Sequence, residues 1–168
     1  TIIGGLGNDS IITTDSRTLR ESLIRGNAGD DILTFSSITN SIINSNSEND
    51  NITISGNMLK SELYGGRHKD TINIAKATDS LIRGDANKDK ITINGELDGT
   101  IINGNADNDF IIINSNSIQS STVYGGQGDD RFDISSDAIY IKGGKGNDDI
   151  DLTSSKHHTI YGGAGGDS

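Results

Sequence analysis

The sequence predicts an all-β fold, a parallel β-solenoid (β-roll or β-helix) of about nine coils with a period near 20 residues. A six-residue turn that ends in Asp recurs nine times along the chain. An Ile, Leu or Val stands two residues before every turn, and alternating apolar residues typically follow it. The turns begin 18 to 22 residues apart, at Gly4, Gly26, Ser45, Gly65, Gly84, Gly104, Gly125, Gly143 and Gly162.

Two strands are expected in each coil, one after the turn and one before the next turn. Ile52 and Ile54 exemplify the period-two alternation of a strand with one buried face, and Leu63 lies in the strand that leads into the next turn. The return segments vary in length and share no evident motif, which favours an irregular connection. Because one coil cannot bury its apolar face alone, stacking at a spacing of about 4.8 Å is required.

Composition excludes several classes of protein. The 168 residues include 22 Gly but no Pro, Cys or Trp, and only 4% are aromatic, which is unlike a compact enzyme and suits a core too narrow for aromatic rings. The net charge of -10 disfavours nucleic acid and anionic membranes as partners. The sequence contains no apolar stretch long enough to insert into a membrane, and no disulfide can form.

The chain is expected to be one repeat-array domain over residues 1–168, a segment of a longer solenoid or of a larger protein. The residue composition does not change along the chain, and no linker interrupts the repeat. The solenoid ends are expected to invite self-association or contact with flanking domains, because they expose strand edges. The outward apolar residues of the second strand, which are Leu23, Ile42, Leu81, Ile101 and Tyr140, indicate a second contact surface.

The turns contain the candidate cation-binding residues. Gly at the first, second and fourth positions is expected to permit positive φ, which brings carbonyl oxygens toward one point. The Asp at the sixth position adds a carboxylate, and cages of carbonyl and carboxylate oxygens bind hard cations such as calcium. The nine aspartates are Asp9, Asp31, Asp50, Asp70, Asp89, Asp109, Asp130, Asp148 and Asp167.

Five turns resemble the RTX, or haemolysin-type, calcium-binding repeat, whose unit runs Gly-Gly-x-Gly-x-Asp-x-apolar-x. They span residues 4–9, 26–31, 125–130, 143–148 and 162–167. The resemblance implies calcium ions between turns 1 and 2, 7 and 8, and 8 and 9, held by Asp side chains and turn carbonyls. The residues matched to the family motif are Gly4, Gly5, Gly7, Asp9, Gly26, Gly29, Asp31, Gly125, Gly126, Gly128, Asp130, Gly143, Gly144, Gly146, Asp148, Gly162, Gly163, Gly165 and Asp167.

The chain departs from the family pattern in two ways. The return edge lacks the glycine motif, so calcium is expected along one edge only. The four central turns are degenerate, and Lys69 and Lys88 stand beside the Asp row. We expect these lysines to offset the stacked charges of Asp50, Asp70 and Asp89, so that only the intact turns need the ion.

Other interpretations of these residues remain. The Asp row could be a plain ladder that caps backbone groups. His157 and His158 could bind a transition metal, and Asp129 with Asp130 could serve acid-base catalysis, although solvated loop histidines and a calcium turn are better accounts.

The sequence therefore favours a non-enzymatic, calcium-binding structural solenoid that acts as a rigid spacer or self-assembly element. Its expected setting is extracellular, in a secreted or cell-surface assembly such as a surface layer, a fibre or a large adhesin. One alternative is the calcium-dependent appendage of a secreted enzyme whose catalytic domain lies outside this segment. A phage fibre segment is another, and a solenoid enzyme acting on polysaccharide is a third.

Overall fold

A computed structural model describes residues 1–13, 16–137, 139–154 and 157–168. It confirms the predicted fold, a parallel β-solenoid with a period near 20 residues. The chain makes about eight complete windings, and these are separated by the nine Asp-containing turns. The secondary structure of the described residues consists of strands, and none of them belongs to a helix that could cross a membrane.

Twenty-one strands follow one another along the chain. In order they are β1 (Ile2–Leu6), β2 (Ser10–Ile12), β3 (Thr18–Arg20), β4 (Leu23–Ala28), β5 (Ile32–Phe35), β6 (Ser37–Thr39), β7 (Ile42–Ser47), β8 (Asn51–Leu59), β9 (Glu62–Arg67), β10 (Thr71–Thr78), β11 (Leu81–Ala86), β12 (Lys90–Ile93), β13 (Leu97–Asp98), β14 (Ile101–Ala106), β15 (Phe110–Ile113), β16 (Ile118–Gln119), β17 (Thr122–Gln127), β18 (Arg131–Ile134), β19 (Tyr140–Lys145), β20 (Asp149–Leu152) and β21 (Thr159–Ala164).

Two long parallel sheets form the walls of the solenoid. The first sheet has the order β1-β4-β7-β9-β11-β14-β17-β19-β21, and each of its strands leads into a turn. The second has the order β2-β5-β8-β10-β12-β15-β18-β20 and holds the strands that follow the turns. Equivalent positions pair in register, as Ile24 does with Ile43 and Ile52 with Ile72. A feature of one coil therefore becomes a row along the axis.

The core between the sheets is a stack of aliphatic side chains. Ile24, Ile43 and Leu63 from the first sheet are fully buried, as are Ile52 and Ile72 from the second. Burial of this apolar surface is the main term that stabilises the stack. The expectation that the narrow core excludes aromatic rings is wrong, because Phe35 and Phe132 are also fully buried.

The return edge is more regular than the sequence analysis expected. A short third strand runs along it, formed by β3, β6, β13, β16 and the second halves of β8 and β10. A residue with positive φ then precedes a Ser or Thr, as Asn40 (48°) precedes Ser41 and Lys60 (46°) precedes Ser61. The same corner recurs at Glu21, Asp79, Gly99 and Ser120.

Hydroxyl groups bind these corners to one another. The Ser41 hydroxyl donates to the Thr39 carbonyl at 2.8 Å and accepts the Ser22 backbone N–H at 3.1 Å. Ser61 repeats the arrangement with Leu59 and the Ser41 N–H. The return segments therefore share a motif, a positive-φ residue followed by a buried hydroxyl, which differs from the turn motif on the opposite edge.

Candidate functional site

The nine Asp turns form one edge of the solenoid with the same backbone geometry throughout. The second and fourth positions have positive φ in every turn, including the degenerate central ones. Asn46 (78°), Asp85 (82°) and Asn87 (79°) adopt it readily, since Asn and Asp tolerate this region. His68 (77°) belongs to the same tolerant group, and Glu48 (73°) adopts positive φ although this is uncommon for Glu. The central turns therefore adopt the same conformation as the intact turns, although they lack some of the glycines.

Glycine occupies the first position of the turn for a different reason than the predicted positive φ. None of the first-position glycines has positive φ, so the prediction for this position is wrong. A Cβ added at Gly26 would overlap Oδ2 of Asp31 in the same turn, and equivalent overlaps occur at the other first-position glycines. Glycine is required there because the carboxylate occupies the space of a side chain. Ser45 is the one exception among the nine turns, and its hydroxyl donates to the Gly65 carbonyl.

The sixth-position aspartates form a continuous hydrogen-bonded ladder. Oδ1 of each accepts the backbone N–H of the Asp one coil earlier, as Asp50 Oδ1 does from Asp31 at 2.8 Å and Asp148 Oδ1 does from Asp130 at 3.0 Å. The ladder runs from Asp9 to Asp167. Seven of these residues are at most 3% exposed, namely Asp31, Asp50, Asp70, Asp89, Asp109, Asp130 and Asp148.

The other carboxylate oxygen of the ladder has no partner. Oδ2 is buried without a hydrogen bond in Asp9, Asp31, Asp50, Asp70, Asp89, Asp109, Asp130 and Asp148. A buried ionised oxygen without a donor or a cation is strongly unfavourable. The capping interpretation therefore accounts for Oδ1 and leaves Oδ2 unexplained.

This burial shifts the pKa of the carboxyl groups in the ladder. Burial raises the pKa of the central carboxyls, to about 8 in Asp70, Asp89 and Asp109, to about 7 in Asp130 and to about 6 in Asp50. The accepted backbone hydrogen bond lowers each pKa, and neighbouring carboxylates raise it again. Each carboxyl therefore requires a proton or a cation near neutral pH.

A carbonyl oxygen converges on the same small space as Oδ2. A Cβ added at Gly125 would lie 2.7 Å from the Gly143 carbonyl oxygen, and one at Gly143 would lie 2.5 Å from that of Gly162. The equivalent distance from Gly4 to the Gly26 carbonyl oxygen is 2.6 Å. A carboxylate oxygen and a carbonyl oxygen of the next coil therefore both lie beside the first-position glycine, and hard cations accept oxygen ligands of both kinds. No cluster of three or more His, Cys, Asp or Glu side chains that could hold a metal occurs among the described residues.

The fourth position separates the intact pairs of turns from the degenerate ones. The N–H of Gly7 donates to the Ala28 carbonyl at 2.7 Å, and those of Gly128 and Gly146 make the same contact with the next coil. These are the three pairs for which the family resemblance implies calcium. In degenerate pairs the N–H donates to a side chain instead, as Gly29 does to Glu48 Oε2 and Asn87 to Asp107 Oδ2.

A second ladder at the fifth position escaped the sequence analysis. Asn8 Oδ1 accepts the Asp30 N–H at 3.0 Å, and Asp30 Oδ1 accepts that of Asn49 at 3.0 Å. The row resumes from Asn108 through Asp129 and Asn147 to Gly166. Its signal is the Asn or Asp that precedes the sixth-position Asp in six of the nine turns.

The lysines of the central turns do not reach the Asp ladder. The side chains of Lys69 and Lys88 are exposed, and Oδ2 of the nearby ladder carboxyls has no partner. Any offset of the Asp50, Asp70 and Asp89 charges by these lysines would therefore act through space and not through an ion pair, and it stays a prediction. Both lysines stand at the fifth position, whose side chain points to solvent, and they interrupt the second ladder.

The remaining candidate residues have structural partners. Asp129 and Asp130 belong to separate ladders, since Asp129 Oδ1 accepts the Asn147 N–H and Asp130 Oδ1 that of Asp109. His158 Nε2 lies 3.1 Å from the Ser154 carbonyl oxygen. The apolar row points outward as expected, with Ile42 40% and Ile101 45% exposed.

Comparison of the chain with protein-family models, with curated proteins and with solved structures finds no match in any of the three. The resemblance to the RTX repeat therefore rests on the turn residues.

Proposed function

We propose that this chain is a calcium-binding structural β-solenoid that serves as a rigid spacer or self-assembly element. The observation that carries the proposal is the row of buried Oδ2 atoms without partners along one edge. All but that of Asp50 lie against the first-position glycine of their own turn, and in most of these turns a carbonyl oxygen of the next coil lies beside the same glycine.

The electrostatic argument concerns charges stacked at the coil spacing. Two carboxylates about 5 Å apart repel each other by about 3 kcal/mol at an effective dielectric constant of 20. A divalent cation between coils converts this repulsion into attraction and compensates for the lost hydration. In this arrangement the Asp carboxylates would hold the ion, the turn carbonyls would complete its shell, and the glycines would leave it room.

Calcium suits these residues better than other cations. The candidate ligands are carboxylate and carbonyl oxygens, which calcium accepts in flexible geometry, whereas magnesium demands a near-ideal octahedron. Extracellular calcium modules typically bind at about 10⁻⁴ to 10⁻³ M. Such a solenoid would stay loose in a cytosol poor in calcium and become ordered outside the cell, which supports a role in a secreted or cell-surface assembly.

The proposed role is structural because the fold supplies length and stiffness. The carboxylates of its turns, such as those of Asp50 and Asp30, accept hydrogen bonds in ladders that join successive coils. The outward Ile42 and Ile101 offer an apolar row on the first sheet, and this supports contact with another domain or subunit.

Calorimetric titration of calcium into the chelated protein tests the proposal. We expect heat saturating near millimolar calcium, about three ions per chain, and a much weaker response to magnesium. Asp148→Asn removes charge between turns 7 and 9 and should reduce the number of ions, while Asp151→Asn, on the exposed outer face, should not. Absence of calcium heat in the wild-type chain, or equal loss in both variants, would contradict the proposal.

A further inference from the structure

The outer face of the first sheet lacks carboxylates in its last four coils. Three positions per coil point outward there, and in coils six to nine they hold Ile101, Asn103, Asn105, Thr122, Tyr124, Gly126, Tyr140, Lys142, Gly144, Thr159, Tyr161 and Gly163. None of the twelve is acidic, in a chain with 24 acidic residues and a net charge of -10. Three of the four tyrosines of the chain lie on this patch.

A trough runs along the patch because its floor is bare backbone. Gly126, Gly144 and Gly163 pair with one another in consecutive coils, and each has positive φ. A Cβ on Gly144 or Gly163 would overlap the backbone of the coil before it, so glycine keeps the floor open in these coils. The earlier Asn27, Asn46 and Asp85 occupy the same row with side chains.

A tyrosine ring and two cations line the trough. Tyr124, Lys142, Lys145 and Asn103 surround a shallow groove of about 290 Å³. The rings of Tyr140 and Tyr161 lie 5.6 Å apart just beyond it. Neither Lys142 nor Lys145 forms an ion pair within the described part of the chain.

The middle of the same face is different, since its charges are paired with their neighbours. Arg83 lies over the Tyr64 ring at 5.8 Å and lowers the pKa of Asp85, which burial raises. The Tyr64 hydroxyl donates to Glu62 at 2.7 Å. The trough differs from the middle of the face because it has two lysines and no carboxylate among its lining residues, and this local charge attracts an anionic partner.

We propose that this trough binds a linear acidic polysaccharide. A linear polymer fits because the floor continues from coil to coil along the axis. Phenol rings pack against the apolar face of a sugar while their hydroxyls and the Asn103 amide hydrogen-bond its polar groups. Lys142 and Lys145, which both line the groove, would pair with carboxylate or sulfate groups of the polymer. The net charge of -10 opposes a partner of much higher charge density such as nucleic acid.

Binding of oligogalacturonate to the full chain tests this inference. Calorimetry at low ionic strength, with and without calcium, is run beside the methyl ester of the same oligosaccharide. We expect the acid form to bind, the uncharged ester to bind at least tenfold more weakly, and affinity to fall with added salt. The double variant Lys142→Ala/Lys145→Ala should lose at least tenfold in affinity, and Tyr124→Ala should also weaken binding.

The matched control is Lys69→Ala/Lys88→Ala, which removes two exposed lysines from the turn edge and changes the net charge equally. It should leave the affinity within about twofold, and circular dichroism verifies that all variants fold. Equal loss in both double variants, equal binding of acid and ester, or no binding would overturn the inference. Tighter binding of polyglutamate than of oligogalacturonate would also overturn it, in favour of an acidic peptide. The trough shares Gly126, Gly143 and Gly144 with the calcium turns, but the lysine variants leave every turn aspartate in place. Calcium heat without oligosaccharide binding, or oligosaccharide binding in chelator without calcium heat, therefore distinguishes failure of one proposal from failure of the other.

Discussion

Ser45 distinguishes the third turn from the other eight. Its side chain stands where the other turns have a glycine, and its hydroxyl donates to the Gly65 carbonyl. Burial raises the pKa of Asp50 to about 6, below the value of about 8 in Asp70, Asp89 and Asp109. In this turn a hydroxyl thus satisfies the carbonyl of the next coil, which a cation would contact in an intact pair of turns.

Replacing Ser45 with Gly should remove the hydrogen bond to the Gly65 carbonyl and allow a cation to bind at the third turn. In chelator we expect a loss of about 1 kcal/mol from the hydrogen bond, and a further 0.5–1 kcal/mol, roughly, from the flexibility of glycine. In calcium we expect recovery of stability and one more bound ion. Thermal melts and calorimetric stoichiometry measure both effects.

Ser55→Gly is the control, because Ser55 is exposed and its replacement carries the same backbone cost. Calcium should not rescue it. If Ser45→Gly binds no additional ion while the wild-type chain binds calcium, this account of the third turn is wrong. If neither chain binds calcium, the proposed function fails instead.

The sequence predicted the backbone conformation of the turns at the second and fourth positions. It did not predict why glycine occupies the first position. Positive φ at the second and fourth positions follows from glycine, and it persists where Asn, Asp, Glu48 and His68 replace glycine. The first-position glycine instead reflects the folding of the Asp side chain back over its own turn. Spacing along a chain does not reveal that contact, nor does it show that Lys69 points away from the ladder.

At the scale of the element, two side-chain ladders run along the turn edge in opposite directions. The sixth-position carboxylate accepts an N–H from the coil before it, as Asp89 does from Asp70 at 2.8 Å. The fifth-position side chain accepts an N–H from the coil after it, as Asp129 does from Asn147 at 2.7 Å. Adjacent turns are thus joined both ways, which fixes their register.

The Asp ladder should make the chelated protein less stable as pH rises. The folded-state pKa of Asp70, Asp89 and Asp109 is about 8, above the ordinary 3.8 expected in the unfolded chain. The folded state therefore holds more protons, so stability is full below about pH 4 and falls until about pH 8. Urea unfolding in chelator at pH 5 and pH 8 measures the difference.

Asp109→Asn tests whether the ladder causes this pH dependence. The amide keeps an acceptor for the Asp89 N–H and removes the buried charge. At pH 8 in chelator we expect a gain of about 1 kcal/mol, or 2–4 °C in Tm, and little change at pH 5. Asp151→Asn should change neither value. A wild-type stability that is flat or rises between the two pH values would contradict the account.

At the scale of the whole molecule, the sequence predicted the solenoid because repetition and strand period agree at every coil. The regular return edge was missed, since its positive-φ residues are as varied as Glu21, Asn40 and Lys60. Only the following Ser or Thr marks it. Phe35 and Phe132 stand at the positions that the alternating pattern predicts to be buried, but the room for their rings was underestimated, because core width depends on the distance between sheets and not on the pattern within one strand.

The same repetition makes the stability of the molecule a sum over neighbouring coils. Coils one, two and seven to nine contain the intact turns, and the resemblance places the ions there. Without cations these coils should fray first, while the buried aliphatic stack of the central coils remains. Partial loss of β structure, and not complete unfolding, is therefore expected in chelator at pH 8.

Far-ultraviolet circular dichroism during calcium titration at pH 8 tests the central claim most directly. The protein starts in chelator, and magnesium serves as the control ion. We expect a cooperative gain of β signal and a rise in Tm near millimolar calcium, with little response to magnesium. A full β signal in chelator, with no change in signal or Tm on adding calcium, would contradict calcium-dependent ordering of the solenoid.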